Sequence, residues 1–271
     1  MYRTICVRIK KGHRLYSYFD DLARKSTNLY NVTNFFIRQV FTGIPKDPSA
    51  RHKNESDVIN TVNACVQHHP KFDQITPENP SVTYGMLDYV FKNTKNVDYY
   101  ALPSHTNQHS MMEVFEAWKA YHISIQEYQH NPEKYTGRPG LPNYTKKGSR
   151  KTITFTNQTC VIKEEKYLKF PKTKERVNLG KMGSIGRLQE VRVSPSREHF
   201  TVQIVHCIDN KSDIKYNPDN IIGIDLGVNN FATITNNIGL QPLIINGRGI
   251  KSINQYYNKK RGYYSENKCY Q

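Results

Sequence analysis

Ile222-Gly223-Ile224-Asp225-Leu226-Gly227 sets one carboxylate near the end of an apolar, β-prone run. Asp is depleted in strands because its side chain is costly to desolvate and competes for backbone hydrogen bonds. A carboxylate kept there is held by a cation, a metal or a turn, and the flanking glycines let a ligand or another backbone approach closely. The chemistry this points to is binding of a hard cation through oxygen, which needs several oxygen ligands. Downstream of Asp225 the sequence holds one further acidic residue, Glu266. A site built from several carboxylates therefore has its first ligand here and too little chain to supply the rest.

The second chemistry is recognition of anions. The 271 residues carry 39 Lys and Arg against 23 Asp and Glu, a formal charge of +16. Between Lys134 and Arg197 there are 16 basic side chains against 4 Glu, a net of +12, while the rest of the chain holds 23 and 19, a net of +4. Charge concentrated in this way marks a surface for an acidic partner, most simply nucleic acid. Lys146, Lys147, Arg150 and Lys151 form the tightest cluster, beside Tyr144, and a second run carries Lys163, Lys166, Tyr167, Lys169, Lys172, Lys174 and Arg176. Cations neutralise phosphates with salt-dependent affinity, and aromatics stack on unpaired bases for about 1–3 kcal/mol each.

Other chemistries are poorly supported. His105 and His109 stand four apart, and His68 and His69 lie near Cys65, but neither pair has an evident third ligand; packed or solvated histidines explain both. The five cysteines are scattered, odd in number and without a CxxC pair, which fits reduced thiols and argues against a disulfide scaffold or a cysteine zinc site. There is no nucleophile elbow, P-loop or dinucleotide fingerprint. No apolar run approaches the ~20 residues of a membrane span, and the N-terminus lacks the apolar core of a signal peptide. A cytoplasmic protein is expected.

The elements that must position these residues follow from periodicity. Residues 2–10 read as a strand. Leu15, Phe19, Leu22, Leu29, Phe36 and Val40 recur at three- and four-residue steps from about Arg14 to Phe41, an amphipathic helix stopped by Gly43 and Pro45. A second helix is expected from Ser56 as N-cap to Pro70, a third from near Thr83, and a fourth over 104–130 burying Met111, Phe115, Trp118, Ile125 and Tyr128. A Gly- and Pro-rich linker, 137–144, then leads into short β-runs at 152–156, 160–163, 167–170, 187–193 and 200–207. Several short strands with turns between them suggest a small barrel, which strand 2–10 joins, leaving the helices as an insertion. After Pro218, strands 221–226, 231–235 and 242–245 precede a helix from Ser252, and a sheet of that size leaves an open edge and an uncovered face. The expected class is α+β: a β-barrel part (1–13 plus 137–217), a helical insertion (14–136) and an incomplete third domain (218–271).

Two families write a glycine-flanked Asp in this way. The actin/Hsp70-type ATPases place it near the N-terminus and favour hydroxyl residues after the second glycine, where this chain has Val228-Asn229-Asn230. The closer likeness is to RuvC-type nucleases. Residues Ile222–Ile234 resemble the first RuvC motif of the TnpB (OrfB) proteins of bacterial transposons, relatives of type V CRISPR effectors, and Lys251–Lys260 resembles the helix those proteins place after the third strand. Residues 14–42, Leu102-Pro103-Ser104 and Gly137–Pro139 look like the N-terminal half more loosely.

The resemblance implies a wedge-type barrel with an inserted recognition domain that grips a guide RNA and reads a short motif in target double-stranded DNA. By position, Tyr84, Ser104 and Gln108 would face that motif. It implies an RNase H-like nuclease domain using two Mg²⁺ ions, with Asp225 as the first metal-binding, catalytic carboxylate. The family's later Glu, Asp and Cys-rich zinc ribbon have no counterpart here. The expectation is an N-terminal, nucleic-acid-binding part of an RNA-guided endonuclease, in the bacterial cytoplasm and inactive alone. The alternatives are a repressor-like binding protein without chemistry, or one half of a split nuclease completed by a second polypeptide.

Overall fold

A computed structural model of the chain describes residues 2–180, 186–207 and 217–266; Cys269 and the side chain of Glu266 lie outside the described residues. The chain divides into two compact units, Met1–Asn210 and Lys211–Gln271.

In the first unit, β1 (Tyr2–Lys10) leads into α1 (Leu15–Gly43), followed by α2 (Lys53–Val66), α3 (Tyr84–Asn93), α4 (Val97–Ala101) and α5 (Thr106–His130). The apolar stripe of α1 is buried at Leu15, Phe19, Leu22, Leu29 and Val40, while Phe36 of the same stripe is half-buried. Burial of each such side chain contributes about 1.5–3 kcal/mol. The N-cap of helix α2 is His52, four residues before the expected Ser56, because the Glu55 carboxylate accepts the His52 N–H at 2.9 Å and fixes the first turn. Helix α3 starts where expected: Thr83 Oγ1 accepts the Met86 N–H. The five-residue α4 was not expected, being too short to show a period. Helix α5 buries Met111, Val114 and Trp118, whereas Phe115, Ile125 and Tyr128 are half-buried.

Strands β2 (Ile153–Thr156), β3 (Val161–Lys163), β4 (Tyr167–Lys169), β5 (Arg176–Asn178), β6 (Arg187–Pro195) and β7 (His199–Cys207) complete the unit. They form two antiparallel sheets, β1-β7-β6-β2 and β3-β4-β5. The expected closed barrel is not formed among the described residues: β1 and β2 are the edges of an open sheet, and β3–β5 pair only with one another. The inner face of the larger sheet (Ile153, Phe155, Val191, Val193, Val202, Ile204) is fully buried without closure. Four rings tie it to α1 and the smaller sheet, with centroids 5.0 Å apart for Phe19–Phe170, 5.4 Å for Phe155–Phe170 and 5.8 Å for Phe19–Phe200. The apolar face is covered by aromatics and a helix rather than by rolling the sheet on itself.

The second unit is a three-stranded antiparallel sheet in the order β10-β9-β8, built from β8 (Ile222–Leu226), β9 (Asn230–Asn236) and β10 (Leu243–Asn246) and followed by α6 (Arg248–Glu266). Its asparagines cap the turns. Asn237 Oδ1 accepts the Ile221 N–H, Asn236 Oδ1 accepts those of Ile238 and Leu240, and Asn246 Oδ1 accepts that of Arg248 at the start of α6. The open edges expected from the sequence are seen: every residue of β8 and β10 is exposed. The overall class is α+β, and no described helix is long and apolar enough to cross a membrane.

Candidate nucleic-acid interface

The basic cluster at 146–151 stands on a strap. Residues 142–151 have no helix or strand of their own, yet their backbone is held along α1 by side chains at regular helical steps. Arg38 and Asn34 donate to the Pro142 carbonyl at 3.2 and 3.0 Å. Asn31 donates to the Thr145 carbonyl and accepts the Thr145 N–H, both at 2.8 Å. Thr27 donates to Ser149 O at 2.9 Å and Arg24 to Gly148 O at 3.1 Å. The Lys151 N–H reaches the Ala23 carbonyl at 3.2 Å. From Pro142 to Lys151 the helix partners run back from Arg38 to Ala23, so the strap runs antiparallel to α1. Residues 24, 27, 31, 34 and 38 share one face at three- and four-residue spacing. Asn34 also accepts from Trp118 Nε1 of α5 at 2.9 Å, and it is fully buried with every polar atom used.

Lys146 and Lys147 occupy a tight turn closed by the Ser149 N–H on the Lys146 carbonyl at 3.0 Å. Gly148 stands at the third position with φ of 80°, a conformation that costs other residues strain and marks a turn of the second type. Both lysines are exposed. Arg38 lies 5.0 Å over the Tyr144 ring beside them. Burial pushes the Tyr144 phenol up, with Arg38 opposing.

Arg150 and Lys151, equal members of the cluster by sequence, are engaged within the protein. The Arg150 guanidinium donates to the Tyr16 hydroxyl at 3.2 Å and to Ser196 O at 2.9 Å, lies 3.4 Å from Asp20 and sits 5.5 Å over the Phe200 ring. The Lys151 ammonium lies 3.9 Å over the Tyr30 ring and 3.0 Å from Glu113. These two residues fasten the end of the strap; Lys146 and Lys147 face solvent.

Tyr84 opens α3 with its ring half-buried, 5.8 Å from Phe115. Burial, then Asp88, pushes its phenol up to about 12. Ser104 is exposed just ahead of α5, and Gln108 is half-buried in its first turn. Tyr84 thus meets α5 about 10 Å along the helix from Gln108. His105 precedes α5 with φ of 65°, and its carbonyl accepts the His109 N–H at 2.9 Å.

In the second unit the register separates two faces. Ile222, Ile224, Leu226, Ile234, Leu243 and Ile245 share one. Asp225 lies on the other, opposite Thr233 and beside Gly223 and Thr235. Its strand is exposed along its length, and among the described residues Asp225 enters no ion pair. The turn after it needs a glycine, since a Cβ on Gly227 would sit 2.9 Å from the Asn230 carbonyl oxygen. Among the described residues no group of three or more His, Cys, Asp or Glu is placed to hold a metal. Asp225 with two threonine hydroxyls nearby does not by itself fit the octahedral oxygen set of Mg²⁺, and no catalytic step follows from these residues alone.

No family model matches the sequence, and no curated protein is similar to it. Among solved structures, the cryo-EM structure of a Cas12f1-sgRNA-target DNA complex aligns with a TM-score of 0.29 and 11% identity, covering 96% of this chain and 61% of that one. The chain spans about three fifths of the length of the solved chain it matches.

The basic residues were legible in the sequence, but the stripe that holds them was not used. Thr27, Asn31 and Asn34 interrupt α1 at helical spacing, and small polar residues in the middle of a long amphipathic helix are the signal that a backbone is gripped there.

Proposed function

We propose that this chain binds nucleic acid, with the α1–strap surface taking the sugar-phosphate backbone and Lys146 and Lys147 as its phosphate contacts. The observation that carries the reading is the strap itself. Two exposed lysines stand on a turn whose main chain is hydrogen-bonded by a row of α1 side chains, so the ordering cost of presenting them is met on folding. Arg24 and Arg38, each tied to a strap carbonyl, add charge along the same row.

The finer reading rests on the likeness of 222–234 and 251–260 to the TnpB proteins. On it, the chain is the N-terminal part of an RNA-guided DNA endonuclease of the bacterial cytoplasm. Its parts are a wedge-type strand domain (1–13 plus 137–217), a recognition insertion (14–136) and the opening of an RNase H-like domain (218–271). Guide RNA and target duplex are the partners, with Tyr84, Ser104 and Gln108 towards the DNA. Asp225 is the first metal-binding carboxylate; Mg²⁺ there requires further ligands, from a second polypeptide or from chain beyond this sequence. The exposed Asp225, opposite Thr233 and beside Gly223 and Thr235 on a face that also carries Ile244, supports this reading.

The test is fluorescence anisotropy with labelled single-stranded RNA and a labelled DNA duplex across a salt series. Wild type is expected to bind more tightly as salt falls. Lys146→Gln/Lys147→Gln should weaken binding and lower the slope of log K against log salt by about 1.8 on the duplex and about 1.4 on single-stranded RNA, near 0.9 and 0.7 per phosphate contact. A variant with unchanged affinity and slope would refute the strap as the contact surface.

A further inference from the structure

A second basic surface stands apart from the strap, on the small sheet β3-β4-β5. Its register pairs Ile162 with Leu168 and Leu168 with Val177. Leu168 and Val177 are buried and Ile162 half-buried, so this is the inner face. The alternate residues Lys163, Tyr167, Lys169 and Arg176 therefore share the outer face. Phe170 and Pro171 anchor the sheet to α1: Phe170 packs on Phe19, and the Tyr18 hydroxyl donates to Pro171 O at 2.7 Å.

We infer that this outer face is a second phosphate-binding surface, reading the backbone of a nucleic acid and not its bases, with Tyr167 as the residue that positions Arg176. The inference rests on the nucleic-acid reading above and assigns it a separate site. Two features carry it. Lys169 stands directly opposite Arg176 across the β4–β5 ladder. Like charges in that relation destabilise a sheet, and a phosphate bound by the two cations would remove their repulsion.

The second feature is the state of the Tyr167 ring. The Arg176 guanidinium lies 3.8 Å from its centroid and the Lys166 ammonium 5.3 Å. A ring already covered by cations is not a platform for stacking a base, which corrects the simplest reading of an aromatic among lysines. It instead holds the guanidinium through a cation–π contact and leaves the N–H groups of Arg176 for an oxyanion. The Arg176 side chain is 47% exposed, and its carboxylate neighbour Glu164, at 3.9 Å, is 69% exposed. An ion pair that open is weak, and a phosphate displaces it.

The experiment compares full-length wild type, Lys169→Gln/Arg176→Gln, Tyr167→Leu, Tyr167→Phe and Lys146→Gln/Lys147→Gln in the same anisotropy salt series, with two RNA sequences of equal length. The sheet double variant should lose several-fold in affinity and about 1.4 in salt slope on single-stranded RNA, equally for both sequences, with no loss of thermal stability. Tyr167→Leu should weaken binding and Tyr167→Phe should restore it, because the ring face is kept. If wild type binds no nucleic acid, the proposed function itself falls. If wild type binds and the strap variant is weakened while the sheet variant matches wild type, this inference alone is overturned. Vesicles of phosphatidylserine and phosphatidylcholine serve as a second probe. Vesicle binding lost in the sheet variant without loss of RNA or DNA binding overturns the assignment in favour of a membrane surface.

Discussion

Asn31 clamps Thr145 through both backbone groups at once, its amide donating to the carbonyl and its oxygen accepting the N–H, each at 2.8 Å. The spacing matches what a neighbouring strand would supply, so one helical side chain replaces a strand partner for an irregular segment. Asn31→Ala removes both bonds and leaves the Thr145 groups to find water. The expected cost is about 1–3 kcal/mol, read from denaturant midpoints. Hydrogen exchange should quicken across residues 142–149 while the α1 core stays protected. If Lys146 and Lys147 act as proposed, nucleic-acid affinity should fall in the same variant although no cation was removed.

Strap and helix also show where sequence reasoning stops. The 3/4 recurrence of Leu15, Phe19, Leu22 and Leu29 fixed α1 because one apolar face must be buried. The alternation in β7 likewise fixed its buried side, at Phe200, Val202 and Ile204. What was not legible was which partner each polar residue would meet. Lys146 and Arg150 are alike in the sequence; only the arrival of Tyr16, Asp20 and the Ser196 carbonyl around the guanidinium separates them. Barrel or open sheet was equally undetermined, because strand period specifies faces and not whether the edges β1 and β2 meet. The start of α2 was missed because the cap is made from within the helix by Glu55, not by a Ser, Thr or Asp before it.

Glu55 predicts an acid-sensitive joint between α1 and α2. Lys46, donating at 2.6 and 2.8 Å, holds its carboxyl down to about 2 from an ordinary 4.5, helped by the His52 N–H and the Thr42 hydroxyl and opposed by burial. A carboxylate depressed in the folded state stabilises fully above its unfolded value, and this contribution is lost as pH falls from about 4.5 towards about 2. Wild type should therefore lose thermal stability steeply in that window, and Glu55→Gln should flatten the dependence while lowering stability at neutral pH. Lys46→Met strands a carboxylate whose side chain is only 4% exposed. Its expected cost is on the order of 2–3 kcal/mol, below the full range for a buried pair because the lysine is partly solvated.

The β3–β4 turn carries removable strain. Glu164 and Glu165 have φ of 55° and 47°, and the Lys166 N–H closes on the Lys163 carbonyl at 3.1 Å. Two successive left-handed residues suit Asn-Gly, and each other residue there costs roughly 1 kcal/mol or more. Glu164→Asn/Glu165→Gly should raise stability by about 1–2 kcal/mol, seen as a higher denaturant midpoint. It also removes the Glu164 carboxylate beside Arg176 and a second negative charge from the same turn. Nucleic-acid affinity should therefore rise rather than fall, an outcome that a purely structural turn does not produce.

Asp225 and Gly227 separate folding from function in the second unit. A Cβ on Gly227 meets the Asn230 carbonyl at 2.9 Å, so Gly227→Ala must displace the turn and should destabilise that unit, seen as faster hydrogen exchange across β8 and β9. Asp225 lies two residues away on an exposed strand. Asp225→Ala should change stability by no more than about 0.5 kcal/mol, the range of surface substitutions away from special contacts, and should leave those exchange rates as in wild type. A strongly destabilised Asp225→Ala would make the carboxylate a structural cap of the β8–β9 turn and remove the physical ground for treating it as a metal ligand. Wild-type stability together with loss of Mn²⁺-induced line broadening at the Thr233 and Thr235 amides would show a carboxylate retained for a cation and dispensable to the fold.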